Sequence, residues 1–121
     1  MQTLSGMRCE ACQRGAPTVT EAEMRELSPQ VPEWRVEEEE GVPRLKRVFK
    51  FPDFTSALAF TVGVGEIAEE EQHHPAITTE WGRVTVQWWT HKIRGLHKND
   101  YIMAAKTDQV FEGSRGGQGT D

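Results

Sequence analysis

The stretch "DFTSALAFTVGVGEIAEEEQHHP", residues 53–75, is the longest helical pattern in the chain, and the remaining elements are arranged around it. Asp53 is suited to N-cap this helix, because its short carboxylate can accept a backbone N–H of the first turn. Pro75 disfavours helical geometry at the residue before it, which predicts that the helix ends around residues 72 to 74. One apolar stripe consists of Ala57, Phe60, Val64 and Ile67, and a second consists of Phe54, Leu58 and Val62.

An apolar surface as wide as these two stripes indicates that the helix packs on a sheet and also on a partner subunit. Gly63 and Gly65 lie inside the helix, where each costs ~1 kcal/mol relative to alanine. Their presence predicts the close approach of another backbone. Although they form a Gly-x-Gly, they do not follow a strand, so a nucleotide site is not indicated.

A hairpin is predicted on each side of this helix. In "EWRVEEEEGVPRLKRVFKF", residues 33–51, apolar residues alternate with polar ones, and 41–43 marks the turn. Arg47 falls on the apolar face of the second strand, which predicts an edge strand or a bulge there. In "AITTEWGRVTVQWWTH", residues 76–91, Trp81-Gly82 is the bend. Trp88 is predicted to lie in the core, and Trp89 to contact a partner or form the wall of a site for a flat ligand.

Two further helices complete the pattern. Thr20 and Glu23 fit a capping box for a short helix, and Asn99 is predicted to cap a last helix running to residue 112. The order helix-strand-strand-helix-strand-strand-helix predicts an α+β fold, a four-stranded antiparallel sheet with three helices packed on one face. We expect a flexible leader at 1–18, one domain at 19–112 and a disordered tail at 113–121.

Composition excludes several classes of protein. The net charge is −5, and no basic patch stands unbalanced, which argues against a nucleic-acid partner. No apolar run approaches the ~18 residues of a membrane span, and the N-terminus has no signal-peptide core, so the cytoplasm is the expected location. Cys9 and Cys12 form a lone Cys-x-x-Cys. Without a second pair it predicts neither a zinc ribbon nor, in a Gly-containing leader, a redox motif.

Histidine chemistry is concentrated in one region of the sequence. Adjacent His73 and His74 stand at the predicted helix end, Glu69 lies one turn before His73, and His91 ends the second hairpin. Three imidazoles from a helix end and a strand end can line one pocket. The residues alone leave three interpretations open: a solvated surface cluster, general acid–base catalysis, or a metal site. Adjacent histidines splay apart, so they are a poor chelating pair.

Spacing beyond the cluster adds a resemblance. "EEEQHHP", "WGRVTVQWWTH" and "GLHKND" together resemble the pterin-4a-carbinolamine dehydratase family, over roughly residues 20 to 112. The matching positions are Glu69, His73, His74, Pro75, Thr90, His91, Gly95, Leu96 and Asp100. One departure is Ile77, where some members carry an aromatic residue. The Cys-x-x-Cys leader is outside the pattern.

The resemblance implies a hydro-lyase that dehydrates 4a-hydroxytetrahydropterin to quinonoid dihydropterin, with no cofactor and no metal. It implies that His74 and His91 are the leading acid–base residues, and that His73 and Glu69 orient the pterin and tune the pair. Asp100 is then expected to orient His91 or its loop, while Glu70 and Glu71 are expected to be solvated. Substrate binding is expected from the histidines themselves and from Pro75, Thr90, Lys92 and Ile93.

The resemblance also implies a homodimer or homotetramer, and a functional link to phenylalanine hydroxylase and related enzymes that generate the substrate. Two other functions remain open. One is a protein-interaction role as a dimerisation cofactor, which would use helix surfaces. The other is a metal-dependent enzyme built on the same three histidines.

Overall fold

The computed structural model describes residues 3–9 and 18–119. Within these residues there are three α-helices: α1 (Glu21–Leu27), α2 (Phe54–Glu71) and α3 (Lys98–Gly119). The same described ranges contain four strands: β1 (Arg35–Glu39), β2 (Val42–Lys50), β3 (Ala76–Glu80) and β4 (Arg83–Trp88). Short 3-10 helices occupy Leu4–Gly6, Ser28–Gln30 and His91–Ile93.

The strands form one antiparallel sheet in the order β1-β2-β4-β3, which confirms the predicted α+β class and both hairpins. The β1–β2 turn consists of Glu40 and Gly41, both at positive φ (53° and 78°). Two such residues match the twist of the strands that they join. The turn therefore begins one residue before the predicted 41–43, and Pro43 lies within β2.

Arg47 lies in an interior strand, so the prediction of an edge strand or bulge there was wrong. β2 pairs with β1 on one side and β4 on the other. The guanidinium of Arg47 reaches Asp108 of α3 at 2.7 Å and lies 4.3 Å from the centre of the Phe49 ring. A charge on the helix-covered face is tolerated because it is paired there and partly stacked on an aromatic ring.

The two predicted stripes of α2 have different environments. Ala57, Phe60 and Val64 are buried against the sheet and α3. The second stripe is exposed: Phe54 by 44%, Leu58 by 48% and Val62 by 54%. Asp53 caps the helix by accepting from Ser56 N at 2.8 Å, as predicted. No helix in the described part of the chain combines the length and apolarity needed to cross a bilayer.

The ends of α1 and α3 depend on capping side chains. Thr20 and Glu23 form the predicted capping box at α1. At α3 the predicted cap was wrong: the helix begins at Lys98, so Asn99 lies in its first turn. His97 precedes the helix, and its ring Nδ1 accepts from Asn99 N at 3.0 Å. A histidine therefore does what a serine or aspartate does at most helix starts.

Within the predicted leader, residues 3–9 are described and pack on α3. Leu4 is 1% exposed and belongs to the main core. Lys106 donates to Ser5 O at 3.1 Å, and Gln109 donates to Ser5 Oγ at the same distance. The backbone of α3 continues to Gly119. The division into leader, domain and tail stays a prediction.

The two glycines of α2 offer a matched pair of substitutions. A Cβ at Gly65 would meet nothing within 4 Å, whereas one at Gly63 would lie 2.9 Å from Val110 Cγ1 of α3. We expect Gly65→Ala to raise the free energy of unfolding by up to about 1 kcal/mol, and Gly63→Ala to give a smaller gain or a loss. Urea unfolding of both variants checks this.

The same difference should disappear when Val110 is shortened. In a Val110→Ala background, Gly63→Ala should recover the helix-propensity gain seen at position 65. Equal effects of the two alanines in the unmodified chain would contradict the close approach of α2 and α3.

Candidate active site

The buried carboxylate of Asp100 lies at the centre of the predicted site. Asp100 is 0% exposed and stands in the first turn of α3, where the helix dipole favours negative charge. Its Oδ1 lies 2.7 Å from His73 Nε2. Its Oδ2 accepts from the Thr90 hydroxyl at 2.8 Å and from the backbone N–H of His97 at 2.9 Å. The end of α2, the segment after β4 and the start of α3 are therefore held by one side chain.

His73 is positioned on three sides. Its backbone N–H donates to Ala68 O at 3.1 Å, which continues the end of α2. Its ring is stacked on Trp88, with centroids 5.7 Å apart and planes inclined by 11°. A carboxylate oxygen can only accept, so the bond with the Asp100 carboxylate is assigned as His73 Nε2–H donating to Oδ1. This bond leaves Nδ1 as the remaining ring nitrogen of His73.

His74 has a carboxylate partner of its own, in a more open position. Its Nε2 lies 2.5 Å from Glu69 Oε2, and the two side chains are 54% and 72% exposed. Glu69 lies one helical turn before His73 in sequence and would contact it only if the helix continued that far. α2 ends at Glu71 and Gln72 is left-handed (φ 54°), so His73 is not in helical register with Glu69.

His91 differs from the other two histidines. It begins the 3-10 helix after β4 and is exposed. Its ring lies 4.5 Å from that of Trp89, and the Arg44 guanidinium lies 3.9 Å from the Trp89 ring. Among the residues described, no side chain or backbone group is hydrogen-bonded to the His91 ring. Asp100 was expected to orient His91 or its loop. It is not hydrogen-bonded to His91 itself, but it binds Thr90, the residue that precedes His91 in that loop.

The remaining predicted site residues lie next to these. Pro75 is half-buried between His74 and β3, Lys92 is exposed, and Ile93 is half-buried in the 3-10 helix. Thr90 is only 3% exposed, and its hydroxyl is used by Asp100. The geometry thus brings His73, Thr90 and Asp100 into direct contact, with His74 and His91 each one residue away along the chain.

Three features of this region were not predicted. The Trp88 stack depends on tertiary packing, and the use of His97 as a cap has no common sequence signal. Glu71, expected to be solvated, has a side chain that is only 2% exposed. In the part of the chain described, no three His, Cys, Asp or Glu side chains are placed to ligate a metal ion.

Cys9 lies beside this region, and Cys12 lies outside the described residues. Burial, followed by the charges of Glu71 and Asp100, raises the pKa of the Cys9 thiol to about 12. Its Sγ contacts Asn99 O at 3.9 Å. A thiol with so high a pKa stays protonated at neutral pH, so Cys9 is a poor nucleophile.

Comparison with known proteins shows which family this chain belongs to. The family model described as pterin 4 alpha carbinolamine dehydratase matches residues 17–110. A curated relative from Nitrosococcus oceani, provisionally named pterin-4-alpha-carbinolamine dehydratase, is 62% identical over 112 residues, covering 93% of this chain and 99% of the relative.

Two solved structures are similar in fold. One, described as a transcriptional coactivator/pterin dehydratase from Brucella melitensis, has a TM-score of 0.69 at 32% identity, covering 78% of this chain and 98% of that one. The other, a pterin dehydratase-like protein described as a RuBisCO assembly factor in the alpha-carboxysome, has a TM-score of 0.55 at 23% identity, covering 64% and 88%. At that identity the second likeness concerns the fold alone. The match over 17–110 and the relative that is 62% identical show that this chain belongs to the pterin 4 alpha carbinolamine dehydratase family.

Proposed function

We propose that this chain dehydrates 4a-hydroxytetrahydropterin to quinonoid dihydropterin. The observation that carries the proposal is the pair of carboxylate-bound histidines, His73 on Asp100 and His74 on Glu69. Beside them stands His91, whose ring has no hydrogen-bond partner among the residues that the structure describes. A carboxylate on one ring nitrogen fixes the tautomer and orients the ring, so the other nitrogen faces a substrate in a defined state. Family membership supplies the substrate class.

The reaction needs two proton transfers and no change of oxidation state overall. The C4a–O bond breaks, and the departing hydroxide takes a proton from an acid. The N5–H proton passes to a base as the C=N bond forms, so the products are quinonoid dihydropterin and water. Histidine suits both steps, because its pKa of ~6.5 lets it donate or accept near neutral pH.

Within this proposal, His74 and His91 lie on opposite sides of C4a; one donates the proton to the leaving hydroxide and the other accepts the proton from N5. Both are exposed, so a ligand can reach them. His73 is only 11% exposed and is bound by Asp100, which suits a fixed group that orients the pterin. Backbone near Pro75, Lys92 and Ile93 would line the amide edge of the pterin.

The same proposal gives the protein a place in pterin recycling. Its substrate class is formed when a pterin-dependent aromatic amino acid hydroxylase, such as phenylalanine hydroxylase, turns over. A dehydratase that acts on that product belongs in the same compartment, for which we propose the cytoplasm.

Variants of the two exposed histidines test the catalytic assignment. We expect His74→Ala and His91→Ala each to lower the catalysed rate by ~10²-fold or more, the usual contribution of a positioned acid or base. The measurement is the decay of 4a-hydroxypterin absorbance during turnover of a phenylalanine hydroxylase, corrected for the decay without this protein.

Glu70→Gln is the matched control, because Glu70 is an exposed carboxylate beside the cluster. It should keep the full rate. If the unmodified protein does not accelerate the decay, the proposed reaction is wrong. If it does, and both alanine variants retain the acceleration, the reaction stands and the assignment of His74 and His91 is wrong.

Asp100→Asn tests the orientation of His73. The asparagine oxygen can still accept from Thr90 or His97, so its amide N–H₂ faces His73 Nε2. His73 must then carry its proton on Nδ1, the opposite tautomer. We expect a loss of roughly 10²-fold in kcat or more, as follows when a catalytic histidine is held in the wrong tautomer, and the nitrogen NMR shifts of His73 should report the switch. An unchanged His73 tautomer would contradict this arrangement.

We propose that the protein is a homodimer or homotetramer that uses the exposed row of α2: Phe54, Leu58 and Val62. Three apolar side chains that lie one turn apart on an exposed helix face form a patch of the kind that marks an interface. The same row favours the second candidate function, a protein-interaction role, since the similar structure from Brucella melitensis is described as a transcriptional coactivator/pterin dehydratase.

Sedimentation of Leu58→Glu tests the use of this row. We expect the sedimenting mass to fall, because a charge replaces an apolar contact at the centre of the row. Ala59→Glu, which adds the same charge at an exposed position beside the row, should leave the mass unchanged. If the unmodified protein sediments as a monomer, the proposed homo-oligomer is wrong. The exposed row would then be a surface for a different protein partner.

A further inference from the structure

The proposed reaction does not use one buried charge near the histidines. Glu71 is the last residue of α2, and its side chain is 2% exposed. A carboxylate there is unfavourable twice over: burial penalises the charge, and the C-terminal end of a helix dipole repels it. The helix itself therefore does not stabilise a charged Glu71 side chain. The groups that offset the cost of burying this charge must come from elsewhere in the chain.

The groups that contact the Glu71 carboxylate directly come from the N-terminal segment. Arg8 Nε lies 2.7 Å from Glu71 Oε2, and Cys9 N donates to Glu71 Oε1 at 2.8 Å. Burial raises the pKa of the Glu71 carboxyl, but the Cys9 hydrogen bond and the charges of Arg8 and Lys106 outweigh it and hold the pKa below its usual range. Both carboxylate oxygens are thus used, and Glu71 stays ionised at neutral pH.

The segment that supplies Arg8 and Cys9 is anchored along its length. Leu4 is buried in the core, and its N–H donates to Gln30 Oε1 at 2.9 Å. Lys106 of α3 holds Ser5 O. The segment therefore crosses α3 from the α1 side to the end of α2, and we refer to residues 3–9 as the strap.

The C-terminal end of the strap contacts a residue close in sequence to His73 and another next to Asp100. Glu71 stands two residues before His73, separated from it by the left-handed Gln72. Asn99, whose carbonyl lies 3.9 Å from Cys9 Sγ, is the chain neighbour of Asp100. One short segment thus contacts the end of α2 and the start of α3, the two elements that must keep a fixed separation for the 2.7 Å bond between His73 and Asp100.

We propose that Glu71 is a positioning residue: through Arg8 and Cys9 it fastens the strap across the ends of α2 and α3 and so holds His73 on Asp100. Glu71 acts through His73 and does not touch the substrate. Its effect on turnover rests on the proposed dehydratase function, whereas its effect on the His73 ring does not.

Glu71→Gln tests the proposal, with Glu70→Gln as the matched control. Glutamine can still accept from Cys9 N, but its N–H₂ faces Arg8, so the ion pair is lost. We expect the His73 nitrogen NMR signals to broaden or to show both tautomers, and kcat/KM to fall roughly 10- to 100-fold, the range expected from displacement of a catalytic group. Glu70→Gln should change neither.

Val84→Ala separates positioning from stability, because Val84 is fully buried at the start of β4 and lies outside the strap. It should lower the unfolding temperature while leaving the Glu71 contacts and the His73 signals intact at temperatures where the protein is folded. If Val84→Ala and Glu71→Gln alter the His73 signals alike, Glu71 contributes only to stability and the proposal is overturned.

Arg8→Ala covers the case in which Glu71→Gln does not fold. The Arg8 side chain is 73% exposed, so its loss should be tolerated. We expect it to shift the His73 signals in the same direction as Glu71→Gln, and the two changes combined to be less than additive. Unchanged His73 signals in every folded variant would overturn the proposal. An inactive unmodified protein would overturn the proposed reaction and leave the NMR result to decide the role of Glu71.

Discussion

The hydrogen bonds of the Asp100 carboxylate are the constraint on which the rest of this region depends. A buried carboxylate costs several kcal/mol unless its oxygens are satisfied. Here His73, Thr90 and the backbone of His97 supply three donors. They belong to three different segments, so satisfying one side chain requires α2, β4 and α3 to meet at one place. The sheet and helices are arranged such that they do.

This constraint divides the three histidines by their freedom to move. His73 is held by a carboxylate, by an indole ring and by the helix end. His74 has an exposed carboxylate partner, and the His91 ring lies beside Trp89 without a hydrogen-bond partner among the described residues. The proposed reaction, with its two proton transfers, would benefit from this division, since groups that transfer protons must adjust as bonds change while a group that orients the substrate must not.

Local features of the fold could be predicted from the sequence, and long-range pairings could not. The capping box at Thr20, the cap at Asp53 and both hairpins follow from periodicity and turn chemistry within a few residues. Arg47 and Asp108 are 61 residues apart in sequence, and Cys9 and Glu71 are 62 apart. No pattern within a strand or helix reports such a partner, so the sequence suggested a bulge for the first and solvent for the second.

Trp88 connects the histidine cluster to the interior of the protein. Its indole is 0% exposed, donates to Thr107 Oγ1 of α3 at 3.0 Å, and carries the His73 ring on its face. One wall of the site is therefore a continuation of the core and cannot be reshaped without repacking it. His91 is exposed, and Trp89, beneath Arg44, is half-buried against the edge of the core. Under the proposed function, adaptation to a bulkier or smaller pterin, by drift or by design, would therefore change His91 and Trp89 more readily than Trp88.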